Sequence, residues 1–236
     1  MQVFKLFKRL YYSRAYLRSL PQTIYFNFHY LPLCQAVKLP ILLYKPHLKK
    51  LKGTVKIFGK AKFGVVRLGF PQVSLYQNSG ITIENQGGTI LFRGRCGIGN
   101  NSFLSIGPKG CVEFGDRFNA STTLRLVSYD KITFHERVRL GWDILIMDTD
   151  FHKLTKLDGG YSHGHAPIEI GADNWIGSGC RIMKRTKTPN HCVVAAGTFL
   201  SGPISVAEYS VVGNVNKPVV KATGMWRNID DDRIEY

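Results

Sequence analysis

The chain has 236 residues, 44% of them hydrophobic, which suits one large domain with its own buried core and a smaller appendage. No apolar run approaches the roughly eighteen residues of a membrane-spanning helix, and no signal-peptide core opens the chain. The five cysteines (Cys34, Cys96, Cys111, Cys180, Cys192) form no C-x-x-C pair and no disulfide framework, which points to reduced, buried thiols and a cytoplasmic location.

The net charge of +16 is unevenly placed, because fourteen Lys or Arg precede the first acidic residue, Glu84. Residues 1–19 read as a short amphipathic helix with Val3, Phe7, Leu10 and Leu17 near one face and Lys5, Lys8, Arg9, Arg14 and Arg18 around the rest. Such a helix suits an anionic lipid surface or serves as a basic cap on the protein's own core. No zinc-finger, RNP-like or helix-turn-helix signature accompanies the charge, so no nucleic-acid partner is expected. Pro21, Pro32, Pro40 and Pro46 are expected to break any long helix within residues 1–51.

From residue 52 onward the segments 55–70 and 81–90 are rich in β-formers and glycine, and Ile98-Gly99, Ile106-Gly107 and Phe114-Gly115 recur every eight residues. A stride of six then takes over. It runs through Phe114, Ala120, Leu126, Ile132, Val138 and Ile144, and again through Ile170, Ile176, Ile182, Thr188, Val194, Leu200, Val206 and Val212. Only Thr188 is not apolar. Neither a helix nor a single strand has this period, whereas a coil of short strands with a turn every six residues does. Small residues follow the apolar ones at Gly171, Gly177, Ala195, Ser201, Ala207 and Gly213, as expected of tight corners. The two registers disagree, because 144 to 170 is two residues longer than four hexads. An excursion from the wall is therefore expected over 148–167, a usual place for function on a rigid scaffold.

This stride, and the run Ile168-Glu169-Ile170-Gly171-Ala172-Asp173-Asn174-Trp175-Ile176-Gly177-Ser178-Gly179, closely resemble the hexapeptide-repeat acyltransferases. The run is similar to the segment after the catalytic loop in galactoside and maltose O-acetyltransferases and in capsule and O-antigen acetyltransferases. The likeness covers roughly residues 90–221 and is specific to the superfamily more than to a substrate. It implies an all-β fold: a left-handed parallel β-helix over 52–221, a basic, partly helical N-terminal segment over 1–51, a protruding catalytic loop over 148–167 and a C-terminal tail over 222–236. It also implies a homotrimer with each active site between two subunits.

By the same resemblance His152 is the general base, oriented by Asp148 or Asp150, although many relatives carry a histidine where this chain has Thr149. Acetyl-CoA is the implied donor. Trp175, Ser178, Ala196 and Gly197 would line its pantetheine arm, and Lys217 and Lys221 would meet its phosphates. His163 and His165 are candidates for substrate contact or plain exposed loop residues. The γ-class carbonic anhydrases share the implied fold but need two loop histidines five apart, which this sequence lacks, so no metal is expected.

The function expected is transfer of acetyl from acetyl-CoA to a sugar hydroxyl in surface polysaccharide synthesis, at the inner membrane face if the N-terminus binds lipid. An inactive scaffold subunit is the alternative, as is an acyltransferase with an amino-group acceptor or a longer acyl donor.

Overall fold

A computed structural model describes residues 2–214 and 225–226. Helices α1 (Gln2–Tyr30) and α2 (Leu33–Ala36) precede a succession of short strands. The first coil is β1 (Ile41–Leu43), β2 (Pro46–Leu51) and β3 (Thr54–Ile57), and the second is β4 (Val66–Phe70), β5 (Ile81–Asn85) and β6 (Thr89–Phe92). The third is β7 (Cys96–Gly99), β8 (Ser102–Ile106) and β9 (Cys111–Phe114). In the fourth, β10 (Phe118–Ser128) turns a corner before β11 (Lys131–Phe134). In the fifth, β12 (Arg139–Met147) does the same, and a loop carrying β13 (Thr155–Lys156) separates it from β14 (Ile168–Ile170). Thinner coils follow, with β15 (Trp175–Ile176), β16 (Arg181–Met183), β17 (Val193–Val194), β18 (Phe199–Leu200) and β19 (Val211–Val212). Last, β20 (Met225–Trp226) pairs antiparallel with β13.

All other pairings of these strands are parallel, and they form three stacks. Sheet A holds β1, β4, β7, the first halves of β10 and β12, and β15, β17 and β19. Sheet B holds β2, β5, β8, the second halves of β10 and β12, and β16 and β18. Sheet C holds β3, β6, β9, β11 and β14, and is prolonged by bridges from Glu169 to Lys187 and from Lys187 to Pro203. The chain visits A, B and C in turn and climbs one level per circuit, the path of a parallel β-helix. Its coils begin at Ile41, upstream of residue 52, so residues 41–51 are already wall.

The stride of six fills the interior because every second strand residue points inward and each coil repeats the pattern above the last. In sheet B, Leu104, Leu126, Ile146, Ile182 and Leu200 stand in one column, and all five are buried. In sheet C, Phe92, Phe114 and Phe134 are register partners, and their rings stack at 5.4 and 5.5 Å. Burying each such side chain stabilises the coil by about 1.5–3 kcal/mol. Thr188 holds an inward position too, and its hydroxyl accepts a hydrogen bond from the Gly171 amide at 3.0 Å. Toward its end the stride loosens: Val206 is exposed, and Val212 in β19 is half-buried against the core.

The small residues after the apolar ones serve close approach between coils. A side chain on Gly171 would meet the Pro189 carbonyl oxygen at 2.4 Å, and one on Gly177 the Ala196 amide nitrogen at 2.6 Å. The left-handed corner conformation falls two residues later, at Asp173, Gly179, Arg185, His191 and Gly197 in steps of six, and again at Tyr209 twelve residues on. Of the cysteines, Cys96, Cys180 and Cys192 are buried as expected, whereas Cys34 is exposed and Cys111 partly so; all five are free.

The N-terminal helix is longer than the prolines suggest. Pro21 lies inside α1 on its exposed side, where water can replace the backbone hydrogen bond that it removes. The opposite side is fixed on the free edge of β1. Ser19 Oγ accepts from the Lys45 amide (2.9 Å), Thr23 Oγ1 from the Leu43 amide (3.1 Å) and Asn27 Oδ1 from the Ile41 amide (3.1 Å), while Asn27 Nδ2 donates to the Ile41 carbonyl (2.7 Å). Four helical residues rise about 6 Å and two strand residues slightly more. That near-match lets a polar residue every fourth helix position satisfy every second strand residue. The otherwise unpaired edge of the first coil is thereby closed.

Candidate functional site

The excursion at 148–167 is an ordered hairpin. Its stem joins the two strands where they leave and rejoin the wall: the Asp150 amide donates to Gly164 (2.7 Å), the Ala166 amide to Asp148 (2.9 Å), and Thr149 bridges His165. Farther out, Ser162 and Leu154 exchange hydrogen bonds, and the Lys156 amide donates to Gly160 around the tip (2.8 Å). Leu140 pairs with Ile176, 36 positions on, where later coils repeat every 18, as Trp175 with Val193 does. The hairpin therefore accounts for the extra length.

The four residues before His152 are each anchored. Asp148 is fully buried, and its carboxylate accepts from Ser128 Oγ (2.8 Å), the Tyr129 amide (2.7 Å) and the Asp130 amide (3.0 Å). It thus fastens the loop to the turn one coil below. Burial raises its pKa, and these three hydrogen bonds only partly offset the rise. The Thr149 hydroxyl accepts from the Phe151 amide (2.9 Å). Asp150 is exposed and pairs with Lys184 at 2.6 Å, and the same ammonium donates to the His163 carbonyl at 3.0 Å. Phe151 takes a left-handed backbone (φ 62) and packs edge-on against Tyr129. His152 follows, half-buried at the outer end of this anchored segment. His163 is exposed, and His165 is half-buried with Nδ1 3.3 Å from Asp130 Oδ2.

The residues implied for the donor lie elsewhere on the prism. Trp175 is 58% exposed on the outside of sheet A. Ser178, Ala196 and Gly197 occupy the corner between sheets A and B: the Gly197 amide donates to the Ser178 carbonyl (2.8 Å), and Ser178 Oγ accepts from the Trp142 amide (3.2 Å). Nothing lies within 4 Å of where a side chain on Gly197 would stand, so this corner is open. The loop leaves between sheets B and C. His152 and the Trp175 corner therefore lie at different edges of one chain, and Asp148, Asp150, His163 and His165 belong to the same loop as His152. Lys217 and Lys221 lie outside the described residues.

Three participants were not singled out from the sequence. Ser128 lies 20 residues before Asp148, one circuit below it, and Lys184 reaches Asp150 from the coil above; both need the coil register to be found. Trp142 is exposed at the same corner as Ser178, 36 positions earlier, and that multiple of 18 was the available signal. Among the described residues no group of three or more His, Cys, Asp or Glu side chains is placed to share a metal ion. No family model, curated protein or solved structure matches the chain.

Proposed function

We propose that this protein is a left-handed β-helix acyltransferase that moves acetyl from acetyl-CoA to a sugar hydroxyl of a surface polysaccharide, working as a homotrimer. The observation that carries the reading is the division of the site. An anchored loop bearing His152 leaves one corner of the prism, while an exposed tryptophan and an open, small-residue corner lie at another. Side-by-side packing of three prisms sets the loop of one subunit against the open wall of the next, which gives that division a use.

In this site His152 takes the proton of the acceptor hydroxyl as its oxygen attacks the thioester carbonyl carbon. The new C–O bond forms, the C–S bond breaks, and the imidazolium returns the proton to the leaving CoA sulfur. The acetyl ester and free CoA are the products. Of the two aspartates just before His152, Asp150, held by Lys184, has an exposed side chain, whereas Asp148 is committed to the turn beneath; Asp150 is thus the better partner for a histidine that becomes charged. Small side chains at Ala196 and Gly197 leave room for the pantetheine arm, and Trp175 offers its ring beside it.

Thioester release from acetyl-CoA against a panel of sugars tests the activity. The shared site is tested by mixing subunits. His152→Ala and Trp175→Ala are each expected to be nearly inactive alone, and mixed trimers to recover up to about a quarter of wild-type turnover, because one interface in four pairs an intact loop with an intact wall. Absence of any recovery in trimers shown to be mixed places both residues in one subunit's site.

A further inference from the structure

The face of α1 turned away from the coils is as distinctive as the one bonded to β1. Ser19, Thr23, Phe26 and Asn27 are buried, whereas Leu17 (62%), Ile24 (41%), Tyr25 (56%) and Phe28 (48%) are exposed. At 3.6 residues per turn, Leu17, Pro21, Ile24 and Phe28 form one stripe on the outer side, with Arg14, Arg18 and Tyr25 along one flank. Leu33 (68%) and Val37 (58%), just beyond Tyr30, are exposed too. Arg14 and Arg18 also line a recess of about 500 Å³ between the helix and the first coil, which Lys45 and His47 share. No acidic side chain lines that recess, and none exists anywhere before Glu84.

We propose that this outer face is a docking surface for an anionic lipid bilayer, on which α1 lies flat. An exposed apolar stripe flanked by arginine and tyrosine suits the boundary between acyl chains and headgroups: Leu17, Ile24 and Phe28 enter the apolar layer, and Tyr25 sits at its margin. Arg14 and Arg18 keep their guanidinium groups at the phosphates, and the recess they share with Lys45 and His47 accepts a headgroup phosphate. The helix does not span. No helix among the described residues is long and apolar enough to cross a membrane.

The attachment also sets the protein's posture. The polar side chains of α1 bond the edge of β1, so the outer face points away from the coils along the prism axis, and the prism stands on the membrane by its N-terminal end. The loop emerges four coils higher, about 20 Å above that edge at the usual strand spacing. If the proposed trimer holds, its three helices face one plane and bind together. The docking itself does not rest on the trimer or on the enzymatic reading.

Co-sedimentation of the full chain with phosphatidylcholine vesicles, with and without phosphatidylglycerol, tests the proposal. Wild-type protein is expected to partition at least about tenfold more strongly to the anionic vesicles, and salt is expected to remove that preference. Leu17→Ser/Ile24→Ser/Phe28→Ser should weaken partitioning on the order of a hundredfold with an unchanged melting temperature. Arg14→Gln/Arg18→Gln, which leaves the apolar stripe whole, should weaken it about tenfold and blunt its salt dependence. Wild-type partitioning by either variant overturns the proposal. So does a fall in particle mass by light scattering in the serine variant, because that face would then be covered by another copy of the chain.

Discussion

In the wall of this protein a residue's place is set by its equivalents one coil above and below: Leu126 lies under Ile146, and Ile146 under Ile182, in a column that repeats from sheet to sheet. In loop 148–167 nothing repeats. A few polar contacts do the ordering there: the Asp148 carboxylate on three donors, Lys184 on Asp150, and a short antiparallel stem. The order of the wall is spread over many levels. The loop depends on single residues, and it carries the proposed base, His152.

Substituting one residue in each region separates the two most sharply. His152→Ala is expected to lower the transfer rate by about two to four orders of magnitude, with CoA binding and melting temperature nearly unchanged, since the base acts on the acceptor proton. Steady-state rates, calorimetry with CoA and thermal melts read the three quantities. Near-normal turnover would move the base to another loop histidine, His165 beside Asp130 first. The wall counterpart, Ile182→Ala, empties a fully buried position and is expected to cost about 2–5 kcal/mol of stability in denaturant unfolding. A loss under about 1 kcal/mol would mean that the coils close over the gap and that the column is not rigid.

The same contrast explains what the amino-acid sequence disclosed. The wall was legible because a stride of six is an unusual period and each coil restates it, and its inward positions from Phe114 to Leu200 are buried as that stride requires. The loop was legible only as a misfit between registers. Its stem pairs Thr149 with His165, residues with no alternating pattern to betray a hairpin, and the partner of Asp148 is found only once one coil is laid on another. In the sequence the first coil merges with the basic segment because its strands precede the regular stride. The full length of α1 was hidden by Pro21, whose cost is small on a solvent-facing side. The small residues at 171, 177 and 195 suggest left-handed corners, yet that conformation falls two residues later, on Asp173, Gly179 and Gly197 and also on Arg185 and His191, since short stretches of wall on both sides hold them there.

Removing the staple should loosen the loop without dissolving the wall. Asp148→Ala strands the Ser128 hydroxyl and the amides of Tyr129 and Asp130 in the interior, at a cost of about 2–4 kcal/mol. Hydrogen exchange is expected to rise across 148–167 and the 128–130 turn while the sheet B column stays protected. Uniformly faster exchange throughout the coils would instead make Asp148 a part of the wall.

The smallest expected effect is also the one whose sign differs between the two regions. Burial raises the pKa of Asp148, so the folded protein holds that proton more tightly than the unfolded chain. This contribution to stability is full below the ordinary carboxylate range and is lost as pH rises through the elevated value. Glu169, on the outside of sheet C, behaves oppositely. Its hydrogen bonds to Lys187 and His135 lower its pKa, so its contribution is present above the ordinary glutamate value and fades as pH falls through the depressed one. Glu169 is well exposed, and solvent screening keeps its share small. Melting temperatures of Asp148→Asn and Glu169→Gln, each compared with wild type from acid to neutral pH, should therefore diverge. The wild-type advantage over Asp148→Asn shrinks toward neutrality, because the amide avoids the buried charge, while that over Glu169→Gln grows as the ion pair with Lys187 forms. Parallel trends in the two variants would show that the loop's buried carboxylate is no more desolvated than one on the face of the wall.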